Sequence, residues 1–586
     1  MEDFVANNRA LILICHKGEV RPGWLREMDR RACALAQLLD KVRYLVWKGK
    51  CMWDFYDDIK KYEDCGILKK DTLYEALQAA ANQTPEKVAV IDKDKALRFC
   101  DLMSEIDQYA EYFAGLGLKK GQRVVLQMPN KNLFVIVLFA LVKIGVKPAM
   151  MLPAQRTIDV LAIGNMIEAV AYISVSDYMG YDYSEVIAPI ENEIPTLKYI
   201  LIEGMGKWKG DSDKWKDLTK LTEKSQPQEL AGYRDTALYL LSGGTTGVPK
   251  IIPKMQQAYV YNAKAVAKRC EFDGSDVYMA VLPISHDLAL ANPGILGTLF
   301  TGGTVVLCES ASFDEAFMMM EKNKVTMTTL VPAIMRIWSE VLEWYEADFS
   351  SMRQLFVGAA KVDETVLGIL EEKLGVTIQQ GYGLGEGITC ATKLNDSKEV
   401  SYRTQGKPVS EGDEMRIVAP DGTILKNGEI GELVEKGPYT FKGYFKNDAL
   451  NEKIFTEDGF FKTGDKAMVR EDGNLVILGR VVEQINRAGE NVIPSEIESI
   501  LNRHSAISEN CVFGMPDEQL GECTVACIVA SEKLTRTDIC QFMECQGVAA
   551  FKYPDRVFCV DHLVYKNVGK VDKRAMKEMV ERGEFE

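Results

Sequence analysis

From about residue 121 onward, short β-branched runs alternate with helical stretches, and this alternation leaves few architectures open. VVLQM (124–128) precedes an apolar stretch of helical length near 131–145, and KPAMML then leads through a helical segment to AYISVS (171–176). VYMAVLP (277–283), TVVLC (304–308), VTMTTLVP (325–332) and RQLFVGAA (353–360) read as further strands, with FDEAFMMMEKNK (313–324) as a helix between two of them. Strands that alternate with helices pair in parallel, and the helices cover both faces of the sheet. The texture changes around 400–480, where turns such as PDGT, EDGF and EDGN separate short strands and predict a small antiparallel sheet. From about 483 the pattern is mixed α+β to the end.

A chain of 586 residues exceeds one ordinary compact domain, so two or more are expected. Its 47% hydrophobic and 26% charged content is that of a globular protein with a sizeable core. The net charge of −15 argues against general affinity for nucleic acid or anionic membrane. Fourteen cysteines are spread without a dense framework; the pairs Cys523/Cys527 and Cys540/Cys545 lack zinc-site spacing, and none of the 4 histidines lies near them. Reduced, mostly buried thiols and a cytoplasmic location follow as expectations. The N-terminal stretch lacks a basic leader and cleavage site and does not read as a signal peptide. The apolar run Leu133–Val142 is half the ~20 residues a spanning helix requires, so it reads as a buried helix.

The densest chemical signal is LYLLSGGTTGVPK, residues 238–250. A strand ends at Leu241, and small, hydroxylated and glycine residues crowd together after it. Gly243 and Gly244 let backbone N–H groups approach a phosphate, Ser242, Thr245 and Thr246 add hydroxyl donors, and Lys250 adds a charge at the far end. The stretch is not GxxxxGK[ST], because Pro249 precedes the lysine and no Ser or Thr follows it. Taken alone, it competes with the weaker alternative of a plain Gly/Ser/Thr surface turn.

Four further segments follow it in order: QQGYGLGEG (379–387), GYFKN with FKTGDKAMV (443–469), LGRVVEQINRAGENVIPSEIE (478–498) and NVGKVDKRAM (567–576). Together the five resemble the signatures of the adenylate-forming superfamily, which includes acyl-CoA synthetases, luciferases and adenylation domains of peptide synthetases. The likeness spans roughly residues 70–580. VYMAVLPISHDLALANPGILG, VTMTTLVPA, RTQGKPVSEGDEMR and KGPYTFKGYF most resemble stand-alone aryl-acid ligases of the 2,3-dihydroxybenzoate–AMP ligase type used in siderophore synthesis.

The resemblance implies an α/β fold. A large N-terminal domain of two layered, mostly parallel βα subdomains plus a small β-barrel region (46–481) would be followed by a small mobile α+β C-terminal domain (482–586). Residues 1–45 carry no motif. It also implies a reaction: ATP and Mg²⁺ convert a carboxylic acid to acyl-AMP, and the acyl group then passes to the phosphopantetheine thiol of a separate carrier protein. The molecule is expected to be a monomer or a homodimer.

Residue by residue, the resemblance implies that Glu386 binds Mg²⁺ beside the α-phosphate and that Asp465, assisted by Arg480, accepts hydrogen bonds from the ribose hydroxyls. Tyr382 would stack on or flank adenine. Lys570 would bridge the substrate carboxylate and the α-phosphate. Val482 stands at the pivot, where the family usually carries Asp or Lys, and Gly489 would leave room for the pantetheine arm. Gly385 stands where Thr is usual. His286 matches the family's aromatic gate, and Asp287, Ala359, Gly381 and Thr389 would line the acid pocket, with glycine at 381 leaving space in it.

Asp287 keeps the acid open. Catechol and salicylate enzymes typically carry Asn at that position, whereas amino-acid-activating relatives carry Asp against an ammonium group. A carboxylate accepts from an N–H donor, so an aminobenzoate is weighed equally with a hydroxybenzoate. Three alternatives remain: an aryl-CoA ligase using free CoA, an amino-acid-activating enzyme, and a catalytically inactive nucleotide-binding regulator. Ser285, His286 and Asp287 do not form a hydrolase triad, because adjacent residues of an extended segment alternate in direction. The chain contains no D-S-L-type phosphopantetheine attachment segment. Asp287→Asn is expected to shift preference towards hydroxybenzoates in acid-dependent ATP–pyrophosphate exchange, and an unchanged acid profile would remove the amine reading.

Overall fold

The computed structural model describes residues 52–585 except 206–212, 243–249, 359–361, 482–484, 488–489, 518–519, 547, 549 and 567–569. The chain divides into a unit ending at Asp64, whose described part is the helix Met52–Asp64, and a unit from Cys65 to Glu586 that holds every sheet. All that follows concerns the second unit.

Its large N-terminal domain is built on two mostly parallel sheets, and a small C-terminal domain follows. The first sheet has seven strands in the order Lys250–Met255, Thr236–Ser242, Lys147–Met150, Arg123–Gln127, Ala171–Val175, Tyr199–Glu203 and Trp215–Asp217; only the edge strand Lys250–Met255 is antiparallel. The second has nine strands, with a parallel centre made by Thr377–Gly383, Gln354–Val357, Met327–Leu330, Val277–Ala280, Thr304–Leu307 and Val88–Ile91. The central strands are buried along their whole length, as sheets covered on both faces require. The apolar run forms the helix Asn132–Lys143, with Phe134 to Val142 almost wholly buried; it packs against the neighbouring helix Phe99–Gly115. No described helix is long and apolar enough to cross a membrane.

The sequence-predicted strands fall where expected, with shorter ends. VTMTTLVP was read to 332, but the strand stops at Leu330 and Pro332 opens the helix Pro332–Val341, a position where its missing N–H costs nothing. The 400–480 region is an antiparallel sheet of Glu414–Val418, Gly431–Lys436, Phe461–Val469 and Leu475–Arg480. The small domain carries its own sheet and its own apolar clusters around Ile497, Ile528 and Ile539, and around Phe513 and Met576.

One buried side chain joins the two large sheets. Asn130 follows the first-sheet strand Arg123–Gln127, and its Nδ2 donates to the carbonyls of Leu282 (2.9 Å), Cys308 (3.0 Å) and Ala280 (3.3 Å). Its Oδ1 accepts from the N–H of Ile284 at 2.9 Å. Those partners lie at the carboxyl ends of second-sheet strands, directly before His286. Asn130→Ala strands three buried backbone groups, since the Ala280 carbonyl keeps the Cys308 N–H, and each costs about 1–3 kcal/mol when unsatisfied, softened by relaxation. A loss of roughly 2–4 kcal/mol in urea unfolding is expected; a loss below about 0.5 kcal/mol would mean that the joint carries no weight.

Candidate active site

Ser242 and Lys250 face each other as register partners at the mouth of the hairpin that joins Thr236–Ser242 to Lys250–Met255. Gly243, Gly244, Thr245 and Thr246 lie outside the described residues. Their flanking strands hold the loop's two ends together, and the Lys250 ammonium sits 5.1 Å from the centre of the Tyr444 ring.

Across from that hairpin, strand Thr377–Gly383 and the turn after it carry the second motif. Glu386 is buried, 8% exposed, and its Oε1 accepts from the Tyr444 hydroxyl at 2.8 Å. Its carbonyl accepts from the N–H of Phe441 at 2.6 Å, so the KGPYTFKGYF segment holds Glu386 by both backbone and side chain. Burial pushes the Glu386 carboxyl up, and the Tyr444 hydrogen bond and the nearby Arg480 and Lys254 charges work against it. Lys254 is itself buried, its Nζ donating to the Gly385 carbonyl at 2.9 Å; burial lowers it, while Asp287, Glu386 and Glu435 hold its proton on.

A floor of buried carboxyls underlies the turn. Glu435 accepts from Thr440 Oγ1 at 2.6 Å through Oε2, while its Oε1 has no partner among the described residues. A side chain on Gly387 would place Cβ 1.9 Å from that Oε1. Asp413 is enclosed beside the Tyr439 hydroxyl, which donates to it at 2.5 Å, and burial raises its carboxyl to about 7.

Asp465 and Arg480 are register partners on adjacent strands, so the sheet itself brings them together. Arg480 Nη1 donates to Asp465 Oδ1 at 2.8 Å and to the Thr463 carbonyl at 2.9 Å. The Tyr382 hydroxyl donates to Asp465 Oδ2 at 2.6 Å. Both carboxylate oxygens are thus aimed by protein donors, and lone pairs remain for a vicinal diol.

His286 caps the short helix Asp287–Ala291, its Nδ1 accepting from the N–H of Leu288 at 3.2 Å. That contact leaves the proton of the neutral ring on Nε2. Burial lowers the imidazole, the Asp287 charge opposes this, and the Lys570 charge adds to the lowering. Lys570 of the small domain therefore stands within electrostatic reach of His286 of the large one. It closes a turn in which Lys566 N–H donates to its carbonyl at 2.8 Å, with Tyr565 and Val571 bridged antiparallel. Glu509 of the same domain accepts from the Tyr565 hydroxyl at 2.6 Å and lies 3.8 Å from Arg336 of the large domain, which also donates to the Ser508 carbonyl at 2.8 Å.

Asp287 meets two donors that sequence reading missed, Tyr259 and Asn292. Thr389 is buried, and its hydroxyl reaches Asn292 Oδ1 at 3.3 Å. A Cβ on Gly381 would meet Phe356 Cζ at 2.3 Å, so the absent side chain makes room for the Phe356 ring. Ala359, Val482 and Gly489 lie outside the described residues. Tyr259 lies in a stretch that carries no motif, whereas Asn292 lies inside VYMAVLPISHDLALANPGILG, one of the segments that carry the family resemblance.

The elements meet outside the carboxyl ends of parallel strands, where α/β sheets bind ligands. The family described as AMP-binding enzyme matches residues 77–445, and its C-terminal domain matches residues 496–570. This chain belongs to the AMP-binding enzyme family. It is 36% identical over 537 residues to the 2,3-dihydroxybenzoate-AMP ligase of Bacillus subtilis, covering 91% of this chain and 98% of that one. It is also 36% identical over 526 residues to the salicyl-AMP ligase / salicyl-S-ArCP synthetase of Mycobacterium tuberculosis, covering 89% and 93%. Among solved structures, the apo form of MbtA from Mycobacterium smegmatis superposes with a TM-score of 0.69 at 33% identity, over 89% of this chain and 97% of that one.

Burial holds the Glu435 carboxyl up at about 8, against an ordinary value of 4.5. Between those pH values the folded protein keeps a proton that the unfolded chain releases, so this site withdraws stability as pH rises from about 4.5 through about 8. Glu435→Gln cannot ionise and escapes that loss. Scanning calorimetry at pH 5 and pH 9 should show the melting point of the variant gaining on that of the wild type as pH rises; a parallel fall in both proteins would remove the assignment.

Proposed function

We propose that this enzyme activates an aryl carboxylic acid of the hydroxybenzoate or aminobenzoate type as its acyl-adenylate and transfers the acyl group to the phosphopantetheine thiol of a separate carrier protein. The observation that supports the reading is the cleft that carries Asp465, aimed by Arg480 and Tyr382, beside the buried Glu386 held by Tyr444. Similarity over nine-tenths of the chain to ligases named for aryl acids supports the choice of acid class.

In the first half-reaction a carboxylate oxygen attacks the α-phosphorus of ATP. The new P–O bond forms as the bond to the β-phosphate oxygen breaks, and pyrophosphate leaves. Two anions must approach each other, so the barrier falls where cations wait for them. Lys570 bridges the acid carboxylate and the α-phosphate, and Lys250 with the hairpin N–H groups and Ser242 holds the outer phosphates. Asp465 takes the ribose hydroxyls, its oxygens aimed by Arg480 and Tyr382, while the Tyr382 ring flanks adenine. His286, with its proton on Nε2, closes the side of the acid pocket.

Among the described residues no group of three His, Cys, Asp or Glu could cage a metal. A hard divalent cation that keeps its waters needs only one or two carboxylates plus phosphate oxygens, and the buried Glu386 fits that pattern. Glu386 would hold such an ion, Mg²⁺, which would supply positive charge to the phosphates. In the second half-reaction the thiol sulfur attacks the acyl carbon, the bond to AMP oxygen breaks, and the thiol proton leaves. The small domain turns about Val482, which withdraws Lys570 and brings Gly489 alongside the pantetheine arm. Domain limits of 46–481 and 482–586 and a cytoplasmic location accompany this reading.

The test is acid-dependent ATP–pyrophosphate exchange with 2,3-dihydroxybenzoate, salicylate, anthranilate, 3-hydroxyanthranilate and free amino acids, followed by thioester assays with CoA and with an aryl carrier domain. Lys570→Ala should lower exchange about 10²–10³-fold, as loss of a transition-state cation does, and should slow thioester formation from supplied acyl-adenylate far less. Equal losses in both half-reactions would remove Lys570 from its role.

A further inference from the structure

The Asp287 carboxylate is held from two sides. The Tyr259 hydroxyl donates to Oδ1 at 2.6 Å, and Asn292 Nδ2 donates to Oδ2 at 2.7 Å. Tyr259 is fully buried on the helix Gln256–Arg269, and Asn292 is 5% exposed. The cluster continues inward. Asn292 Oδ1 accepts from Thr389 Oγ1 at 3.3 Å and from Asn262 Nδ2 at 3.4 Å, and Asn262 lies one turn along the helix from Tyr259. Behind the Tyr259 ring stands the buried Lys254 ammonium, 5.0 Å from the ring centre. Burial and the Asp287 charge both hold the Tyr259 hydroxyl in its protonated form, so it donates throughout the working pH range.

This geometry limits what Asp287 can do. A carboxylate offers about four lone-pair directions on two oxygens. One on each oxygen is filled by a buried donor, Tyr259 on its helix and Asn292 just past the helix that Asp287 opens, and this fixes the carboxylate plane. What remains can only accept. Asn292 is oriented by the same contact, because its amide nitrogen must face Asp287 and its carbonyl must therefore face Thr389 and Asn262. An acid whose ring substituent has no donor would leave Asp287 buried against it with a lone pair unmet, and sites built around a polar partner reject such analogues strongly.

We propose that Tyr259 is a positioning residue that, opposite Asn292, fixes Asp287 as an acceptor and restricts the enzyme to aryl acids carrying an N–H or O–H donor beside the carboxyl group. The inference rests on the aryl-acid reading above and deepens it. The hydroxyl of Tyr259 reaches the acid only through Asp287, so its removal should blur selection without acting on the reacting atoms.

The experiment compares kcat/KM in pyrophosphate exchange for anthranilate, salicylate and the donor-free 2-fluorobenzoate, in wild type, Tyr259→Phe and Asn292→Ala. Wild type should prefer both donor-bearing acids to 2-fluorobenzoate by at least tenfold. Tyr259→Phe should cut those ratios about tenfold, and Asn292→Ala, which releases the other oxygen, should cut them independently even if one variant folds poorly. Ratios held within about twofold, with all three acids losing rate together, would show a merely structural tyrosine and overturn the proposal. A wild type that activates none of the three acids but exchanges with aliphatic or amino acids would overturn the aryl-acid reading itself. The two failures are distinguished before any variant is made.

Discussion

Two parallel sheets can share a ligand only if the ends of their strands are held in register with each other, and in this chain Asn130 supplies that hold. Its amide satisfies backbone groups just past the carboxyl ends of Val277–Ala280 and Thr304–Leu307. The segment so fixed runs straight into His286 and Asp287. The positions of His286 and Asp287 therefore descend from one buried side chain in the other sheet. Backbone groups left bare inside a protein cost enough that such a joint confers specificity of placement as well as stability.

Charge is arranged around the cleft in separate pairs. Asp465 has Arg480 and Tyr382, Asp287 has Tyr259 and Asn292, and Glu386 has Tyr444. Each carboxylate is aimed by groups that donate and cannot compete for its remaining lone pairs. Lys254, buried among Asp287, Glu386 and Glu435, offsets the acidic interior without touching any of them by a direct hydrogen bond. The result is a cleft whose acceptors are preset, with the proposed cation Lys570 supplied from another domain. That division suits a reaction in which the same acyl group must first meet phosphate and later meet a thiol.

The layered fold was legible because the strand and helix periods, and the lengths of the runs, agree with one another. VVLQM, AYISVS, TVVLC and the helix after Ser312 each fall within a residue or two of their predicted places. Family likeness supplied Asp465 and Arg480, and the strand register explains why they meet. Tyr259 was not legible, because a tyrosine on the buried face of a helix looks the same whether its hydroxyl meets water, backbone or a substrate-reading carboxylate. Gly381 shows a related limit: glycine says that something comes close, and only the fold says that the Phe356 ring does. Several loop positions, among them Ala359, Val482 and Gly489, lie outside the described residues.

The glycine after Glu386 has a different bearing. Position 387 is closed by the Glu435 carboxyl beneath it, which would sit within bonding distance of any side chain placed there. The Glu–Gly pair is thus read by two selective pressures at once, one from the cleft above and one from the acidic floor below. A lineage that gave up the chemistry could keep the glycine for packing alone, and a lineage that replaced Glu435 by a smaller residue could lose it while still activating acids. Survival of that dipeptide in a distant sequence is therefore evidence about the floor before it is evidence about the reaction.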